Sequence, residues 1–411
     1  MKIMVLAGGN DQAALIRMLR ERIQGVEIIL IDYNKDVVAA KFADRHIVES
    51  TMDLPKVKEI AINEKVDYIM TACGDQPVLT MAVVSDELGL PCYLSKKQAV
   101  EITNKKFMKK KMSEFDIPTA KYKTFEEGEE IDDSGLRYPL IVKPVDNNGS
   151  KGVRRVEDRD ELILYAKEAY KFTLTHTIVV EEFIEGDEIS CDFFVKDGKA
   201  NYVMICKSNK FFVDDGTQVI YQSIIPPAVS DVVKDKINDI AQKIANAYGL
   251  VNSPLHIQTL VKDDDVDVIE FSARLGGGAK YKTIQEVTGF NILSANLDVM
   301  LGQEPKIEFN RSKKHFTRCF LYLKGGTFAS SEGFEECVAN GTIDEYVMIR
   351  PYGVYAKSPR ASNDRVASFL ASDESNDILF EKVKKALTTI KIFNENGEDI
   401  LKRDMYAEYF V

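Results

Sequence analysis

Short apolar runs alternate with amphipathic helical patterns over residues 1–95. Lys2–Ala7 and Val26–Asp32 are almost wholly apolar, which predicts buried strands, and Asp11–Ile23 has the spacing of an amphipathic helix. Strands that alternate with helices predict a parallel, doubly wound sheet of Rossmann-like type. The loop AGGNDQ at residues 7–12 departs from GxGxxG, which argues against a dinucleotide site. The remaining elements predicted here are a helix before residue 46, a strand at His46–Glu49, a helix at Leu54–Glu64 and a strand at Asp67–Ala72.

A second alternating pattern predicts a β-hairpin. Pro254–Val261 and the segment from Val266 onward alternate apolar and polar residues around an acidic turn at residues 262–265. Side chains on a strand repeat every second residue, so the polar face carries an amide, a carboxylate, a hydroxyl and a guanidinium. These residues are Gln258, Glu270, Ser272 and Arg274, and Gly276, Gly277 and Gly278 follow them. Oxygen ligands suit Mg²⁺, and glycines allow a ligand to approach the backbone. The alternative is the exposed face of an ordinary hairpin.

Two further segments precede this hairpin. Ser95–Phe115 predicts one lysine-rich helix, and a solvated basic face is the ordinary interpretation of such a charge run. Tyr138–Val145 predicts a strand that carries Lys143, and a lysine in an apolar strand needs a partner. The small, amide-rich loop Asp146–Gly152 comes next; it can present backbone N–H groups to phosphates or be a plain surface turn.

The other elements follow the same rules of periodicity. Lys210–Thr217 is either a substrate loop or a hairpin connection. The predicted elements are helices at Asp158–Tyr170, Asp231–Tyr248 and Asn376–Thr389, and strands at Thr177–Ile184, Ile189–Val195, Ala200–Lys207, His315–Tyr322 and Tyr346–Arg350.

Composition narrows the class of protein. The 411 residues are 45% hydrophobic and 29% charged, which is ordinary for a globular protein of two to four domains. A net charge of −11 gives no broad basic surface for nucleic acid. No apolar run reaches membrane-spanning length, and the chain starts with a strand pattern and no signal peptide. Six scattered cysteines without a CxxC pair indicate reduced thiols, so we expect a cytoplasmic location.

The order of these segments resembles the ATP-grasp superfamily: basic helix, strand with Lys143, glycine loop, strand ending in paired glutamates, hairpin, long helix, then Gln258, Glu270 and Arg274. The resemblance covers residues 1–310 well and the rest loosely. It implies an α/β fold with a Rossmann-like domain at residues 1–95 and an ATP-grasp domain at 96–312. The lid subdomain is expected at about residues 120–185, and a small C-terminal α/β domain at 313–411.

The resemblance also implies which residues bind ATP. Lysines hold the phosphates, the glycine loop covers them, a hinge reads adenine and a carboxylate takes the ribose hydroxyls. The corresponding residues are Lys105 (with Lys106 as the competing choice), Lys143, Gly149, Ser150, Lys151, Gly152, Glu181, Glu182, the backbone of Ile184, and Glu188.

Metal and substrate residues follow from the same resemblance. Gln258, Glu270 and Ser272 match the positions that bind Mg²⁺, with Mn²⁺ as an alternative metal. Glutamate is commoner than Gln at 258, and Asn is usual where Ser272 stands, which leaves open whether one metal or two bind. Arg274 and Lys143 match the catalytic cations, and Arg274 with Gly276, Gly277 and Gly278 matches the substrate loop.

The implied activity is an ATP- and Mg²⁺-dependent carboxylate–amine ligase. It would phosphorylate a small carboxylate to an acyl phosphate and couple it to an amine, with amino acids as expected substrates. One alternative is a purine-pathway enzyme that resembles phosphoribosylglycinamide synthetase or the formate-dependent transformylase. A non-catalytic ATP-binding module is a second alternative, and a dinucleotide-dependent enzyme using residues 1–95 is a third. By family analogy we expect a homodimer.

Overall fold

A computed structural model describes residues 1–147, 152–213 and 218–410. Within those ranges, no helix combines the length and the apolar character needed to cross a membrane. Helices and strands are both abundant, and the predicted α/β class is confirmed. The domain boundaries at residues 95 and 312 remain predictions.

The first sheet has four parallel strands in the order β3-β2-β1-β4. This is the predicted Rossmann-like arrangement. The helix expected between β2 and β3 is only a five-residue 3-10 helix at Val38–Phe42. The elements are β1 (Lys2–Leu6), α1 (Asn10–Arg22), β2 (Glu27–Asp32), β3 (Arg45–Val48), α2 (Leu54–Glu64), β4 (Tyr68–Met70) and α3 (Asp75–Leu88).

The lysine-rich segment forms two helices, so the prediction of one continuous helix is wrong. They are α4 (Lys96–Thr103) and α5 (Lys105–Glu114), separated at Asn104. Asn104 has extended backbone angles, and its side chain accepts a hydrogen bond from the backbone N–H of Lys106. Asparagine caps a helix better than it continues one, which explains the break.

A four-stranded antiparallel sheet follows, in the order β5-β8-β6-β7, with one helix packed against it. Its own apolar core includes Leu140, Val142, Leu162 and Val180. This sheet positions Lys143 on β6 beside Glu181 on β8. The elements are β5 (Tyr122–Glu126), β6 (Leu140–Pro144), β7 (Arg154–Val156), α6 (Arg159–Tyr170) and β8 (Thr177–Glu182).

The next elements confirm the predicted hairpins and long helix. Gly249 ends α7 in the left-handed conformation with φ 59°, as a C-cap glycine does. The elements are β9 (Asp187–Lys196), β10 (Lys199–Phe212), β11 (Gln218–Ile225), α7 (Asp231–Tyr248), β12 (Ser253–Lys262), β13 (Asp265–Ser272), α8 (Lys280–Thr288) and α9 (Ile292–Met300).

The C-terminal region adds short strands and two helices. It also contains 3-10 helices at Ser362–Asp364 and Arg403–Tyr409. The elements are β14 (His315–Leu321), β15 (Gly326–Thr327), β16 (Ser330–Glu332), α10 (Phe334–Ala339), β17 (Glu345–Met348), β18 (Tyr355–Ala356), β19 (Ala367–Asp373), α11 (Asn376–Thr389) and β20 (Lys391–Phe393).

One antiparallel sheet of eight strands joins the middle and the end of the chain. Its order is β13-β12-β9-β10-β11-β14-β19-β17. The N-terminal sheet meets the end of the β12–β13 hairpin through a parallel bridge between Cys73 and Leu275. The carboxyl ends of β1 and β4 therefore lie beside Arg274 and the glycines at residues 276–278. Open α/β sheets bind their ligands at the carboxyl ends of their strands.

Candidate active site

The β12–β13 hairpin forms the floor of the site. Gln258 lies directly opposite Glu270, and His256 lies opposite Ser272, so the predicted shared face is confirmed. A bulge follows Gln258 in the register. The hairpin borders a small polar cavity whose lining includes Asp75, Lys105, His256, Gln258, Glu270, Ser272 and Arg274. The ordinary exposed hairpin is therefore the wrong alternative for this face, because other elements cover it.

A buried cluster of charges lies beside this cavity. Lys143 Nζ is 2.5 Å from Glu181 Oε1, and Lys109 Nζ is 2.6 Å from Glu181 Oε2. Lys109 is 1% exposed and Lys143 is 4% exposed. Lys109 also donates to Thr119 Oγ1 at 2.5 Å. A solvated basic face was thus the wrong interpretation of α5, whose inner side contributes a wholly buried lysine.

Burial and neighbouring charges set the protonation of this cluster. Burial lowers the pKa of Lys143 to about 8; Lys109 and Lys105 add to the effect and Glu181 opposes it. Burial by itself would raise the pKa of Glu181, but Lys109 and Lys143 outweigh it and lower that pKa to about 2. Glu181 is therefore ionised near neutral pH, whereas the pKa of Lys143, at about 8, lies close to neutral pH.

Lys105 starts α5 and faces the hairpin. Its Nζ lies 3.3 Å from Glu270 Oε2 and donates to the carbonyl of Asn147 at 2.8 Å. Lys106 points to the surface, where its Nζ pairs with Glu126 at 2.9 Å. The geometry favours Lys105 over Lys106 as the lysine that reaches into the cavity.

Arg274 is held by a carboxylate from the N-terminal sheet. Its Nε and one terminal nitrogen donate to the two oxygens of Asp75, both at 2.8 Å, and Ser272 Oγ donates to Asp75 at 2.5 Å. Burial alone would raise the pKa of Asp75, but Arg274 and the hydrogen bonds hold it well below its usual range. No local pattern in the sequence joins Asp75 to Arg274, because 199 positions separate them.

The predicted adenine and ribose residues lie along the end of β8 and the start of β9. Glu188 is buried, accepts from Gln258 Nε2 at 3.0 Å and pairs with Lys210. Glu182 pairs with Arg137 at 2.9 Å. Ile184 is half-buried, two residues beyond β8. Glu188 and Gln258 thus belong to one hydrogen-bonded group, whereas the Glu181 side chain points to lysines.

The three glycines at residues 276–278, which follow Arg274, are enclosed on several sides. A Cβ at Gly276 would lie 2.7 Å from Lys280 Cδ, and a Cβ at Gly278 would lie 2.8 Å from Nη1 of Arg365. Gly278 has φ +77°, which favours glycine. Asp11, in the first turn of α1, accepts a hydrogen bond from the backbone N–H of Ala279 at 3.2 Å.

Part of the predicted phosphate loop lies outside the described residues. Gly149, Ser150 and Lys151 belong to this part, whereas Gly152 is described and has φ +74°. The candidate segment Lys210–Thr217 is described only to residue 213, and β10 extends to Phe212.

A second buried group was not recognised in the sequence. His256 Nδ1 lies 2.8 Å from one oxygen of Asp192, and Lys280 Nζ lies 2.9 Å from the other. Burial, with Lys280 beside it, lowers the pKa of His256. His256 stands two residues before Gln258, so the strand period that placed Gln258 could also have placed it. Asp192 and Lys280 come from other elements, and no local pattern joins them.

A metal ion at this site would be bound by one carboxylate together with neutral oxygen ligands. Among the described residues, no group of three or more His, Cys, Asp or Glu side chains is placed to hold a metal ion. Glu270 supplies one carboxylate, and Gln258 and Ser272 supply neutral oxygens. Such a set resembles a Mg²⁺ site that relies on substrate phosphates for its remaining ligands.

Comparisons with known proteins show which family and fold the chain is similar to. Residues 136–282 match the ATP-grasp domain family, which confirms the resemblance found in the sequence. A phosphoribosylamine–glycine ligase of Lactococcus lactis is 26% identical, with 94% of this chain and 96% of that protein covered. The structure resembles an L-amino acid ligase from Bacillus licheniformis (TM-score 0.76) and a phosphoribosylglycinamide synthetase from Anaerococcus prevotii (TM-score 0.75). Each is 20% identical, with 96% of this chain and 99% of that chain covered, so these two likenesses show the fold.

Proposed function

We propose that this chain, which contains an ATP-grasp domain, is an ATP- and Mg²⁺-dependent carboxylate–amine ligase. It phosphorylates a small carboxylate and joins the acyl phosphate to an amine, releasing ADP and phosphate. The observation that carries this proposal is the excess positive charge beside the hairpin. The group contains the buried residues Lys105, Lys109, Lys143 and Glu181 together with the half-buried Glu270.

That excess charge needs an anion from outside the protein. Burying an unpaired charge is costly, and a ligand that binds there regains the lost interaction. Nucleotide phosphates are anions that can supply this negative charge. In this proposal Lys143 and Lys105 bind the phosphates of ATP, while Lys109 stays inside and keeps Glu181 paired.

The remaining nucleotide contacts follow the order of the chain. Glu182 and the backbone of Ile184 recognise adenine next to Glu181, and Glu188 accepts from the ribose hydroxyls. Gly149, Ser150, Lys151 and Gly152 are proposed to bind the phosphates by resemblance alone, since the first three lie outside the described residues.

The metal-binding group fits Mg²⁺. Glu270 and the oxygens of Gln258 and Ser272 would hold it, with phosphate oxygens completing the coordination. Bound Mg²⁺ neutralises developing charge on the phosphoryl oxygens. Mn²⁺ prefers similar oxygen ligands and is expected to support the reaction. Replacing Mg²⁺ with Mn²⁺ in the assay tests this.

The chemistry itself needs no protein nucleophile. A carboxylate oxygen of the substrate attacks the γ-phosphorus and ADP leaves; the amine then attacks the acyl carbon, and phosphate leaves with the proton transferred to solvent or phosphate. Arg274 leaves Asp75 and binds the acyl phosphate bidentately, as guanidinium groups bind phosphate. Positioning by Gly276, Gly277 and Gly278 and electrostatic stabilisation by Lys143 and Arg274 provide the catalysis.

Amino acids are the substrates we test first. The relative from Lactococcus lactis, named for joining phosphoribosylamine and glycine, favours a purine-pathway reaction as the second candidate. Phosphate release from Mg·ATP is measured over pairs of amino acids, with phosphoribosylamine plus glycine, and formate plus glycinamide ribonucleotide, in separate wells. A signal that requires two compounds together establishes a ligase. Tight ATP binding with no phosphate release in any well contradicts the ligase and favours an ATP-binding module.

We also propose a cytoplasmic homodimer. All six cysteines are free, as expected in a reducing compartment. Light scattering after size-exclusion chromatography tests the dimer, which a mass near 46.3 kDa would contradict. Cell fractionation tests the location.

A further inference from the structure

A second cavity lies away from the candidate active site, where β11 ends and β14 begins, beside the first half of β10. Its volume is about 210 Å³. Among the described residues, it shares no lining side chain with the cavity beside Gln258 and Glu270. A dry apolar cavity of roughly 150 Å³ is already large enough to bind benzene. The second cavity therefore has room for the body of a small organic molecule.

The inner wall of this cavity is apolar. Val203, Met204 and Ile205 of β10 are buried there, as is Ile225, the last residue of β11. Val287 of α8 also lines the cavity and is half-buried. In ligand sites, apolar walls of this kind supply contact area for a hydrophobic group, and a few polar groups fix its orientation.

The edge of the cavity is basic. It includes Arg311, Lys313 and Lys314, which are exposed and belong to the segment that leads into β14. Within the part of the chain that the structure describes, none of the three makes an ion pair; the charge of Lys314 acts on Asp344, but from beyond ion-pair distance. Three neighbouring cations without a paired carboxylate create a local positive field, although the chain as a whole has a net charge of −11. That field favours an anion at the edge of the cavity.

Arg311 is already held in position at this edge. Its Nη1 donates to the carbonyl of Val203 at 2.6 Å, and its Nη2 donates to the carbonyl of Tyr202 at 2.8 Å. Its Cζ lies 4.4 Å from the centre of the Phe309 ring and 4.9 Å from the centre of the Tyr202 ring. A guanidinium has more N–H donors than these two hydrogen bonds use. A side chain fixed in this way loses little conformational freedom when it binds a carboxylate or phosphate.

We propose that this cavity is a second ligand site, separate from the active site, which binds a small organic anion with an apolar body. The body fills the apolar interior, and a carboxylate or phosphate lies at the basic edge. Val287 belongs to α8, which begins at Lys280, shortly after the glycines at residues 276–278. A ligand in this cavity thus contacts the helix that leads out of the candidate active site. The inference does not depend on the proposed ligase activity.

Fluorine NMR with two anionic probes, 4-fluorobenzoate and 4-fluorophenyl phosphate, tests the site, and 4-fluorobenzamide is the neutral control. We expect saturable binding of at least one anion with a Kd of about 1 mM or tighter, and binding at least about tenfold weaker for the amide. Mg·ADP should leave the binding of the anion unchanged. The anion that binds more tightly shows whether the ligand is a carboxylate or a phosphate.

Three variants locate the binding. Val287→Trp should abolish it, because the larger side chain fills the cavity. Arg311→Gln should weaken binding of the anion by about tenfold, the effect of one charge-assisted hydrogen bond, and leave the amide unchanged. Lys306→Gln removes one positive charge from an exposed position of the same segment that does not line the cavity, and should match wild type.

Several results would overturn the proposal. They are the absence of saturable binding of either anion, equal binding of anion and amide, and unchanged binding in Val287→Trp. Equal weakening in Arg311→Gln and Lys306→Gln would show only the general charge effect of an ordinary solvated basic segment. Displacement of the anion by Mg·ADP would contradict a separate site. If Arg311→Gln does not fold, the double variant Lys313→Gln/Lys314→Gln, at two exposed positions, provides the same comparison.

Discussion

The carboxylate of Asp75 holds the guanidinium of Arg274 through two hydrogen bonds of 2.8 Å. Asp75 is the first residue of α3, the helix that follows β4 of the N-terminal sheet. Arg274 comes two residues after the end of β13, a strand of the eight-stranded sheet. The proposed phosphate-binding arginine is therefore already paired with an oxyanion of the protein. An acyl phosphate that binds Arg274 must replace this partner, so the contact links substrate binding to the junction of the two sheets.

Substitution of Asp75 by Asn should destabilise the ligand-free protein. The change leaves the Arg274 charge buried without its partner, which costs about 3 kcal/mol. An anionic ligand at Arg274 should recover part of this loss. We expect urea unfolding to show a larger stabilisation by Mg·ADP plus phosphate in Asp75→Asn than in wild type. Equal stabilisation of both proteins would place the ligand away from Arg274.

The affinity for ATP should fall as the pH rises above 8. The pKa of Lys143 is lowered from 10.5 to about 8, so its ammonium loses its proton above that pH. The groups that face it are Glu181 on β8 and Lys109 and Lys105 on α5. Since ATP binds the charged form, affinity should drop by up to about tenfold per pH unit above the pKa.

Lys143→Arg is the matched control for this pH dependence, because an arginine stays charged over the whole range. Calorimetric titration with Mg·ATP between pH 7 and 9.5 measures both proteins. A flat profile in wild type, or the same slope in Lys143→Arg, would show that another group controls the dependence. Lys143→Ala should weaken ATP binding at pH 7, and the difference from wild type should shrink as the pH rises above 8, where Lys143 is already neutral.

Lys109→Met should shift this profile to higher pH. Lys109 is among the causes that lower the pKa of Lys143, so its removal lets that pKa rise. It also removes one of the two partners of Glu181, with an expected loss of about 3 kcal/mol in stability. Lys110→Met is the control, because Lys110 is exposed and its one ion pair among the described residues, with Glu114, is a long surface contact of 3.8 Å. An unshifted profile in folded Lys109→Met would contradict this coupling.

Glu270→Gln should abolish turnover while the protein stays folded. The amide keeps the shape of the side chain but removes the carboxylate that faces Lys105 and the proposed metal. We expect a loss of more than about a hundredfold in phosphate release, with little change in the thermal midpoint. Glu168→Gln, on the surface of α6, is the control. Near-normal activity of Glu270→Gln would remove Glu270 from the metal site.

Much of the site followed from local patterns. The period of two in β12 and β13 placed Gln258 and Glu270 on the same face of the hairpin, because neighbouring side chains on a strand alternate between faces whatever the rest of the fold does. Alternating strands and helices likewise determined the parallel N-terminal sheet. The apolar strand around Lys143 indicated a partner for that lysine, and the order of these segments identified the ATP-grasp fold.

Only the tertiary structure decided which charges meet. Asp75 and Arg274 are 199 positions apart, and Gly278 and Arg365 belong to different regions, so no local period relates them. Lys109 looked like its solvated neighbours in a lysine-rich run, yet it is buried because α5 turns that side to β8. Helix and strand periodicity specify which face of an element is apolar, whereas pairing of buried charges depends on how whole elements pack together.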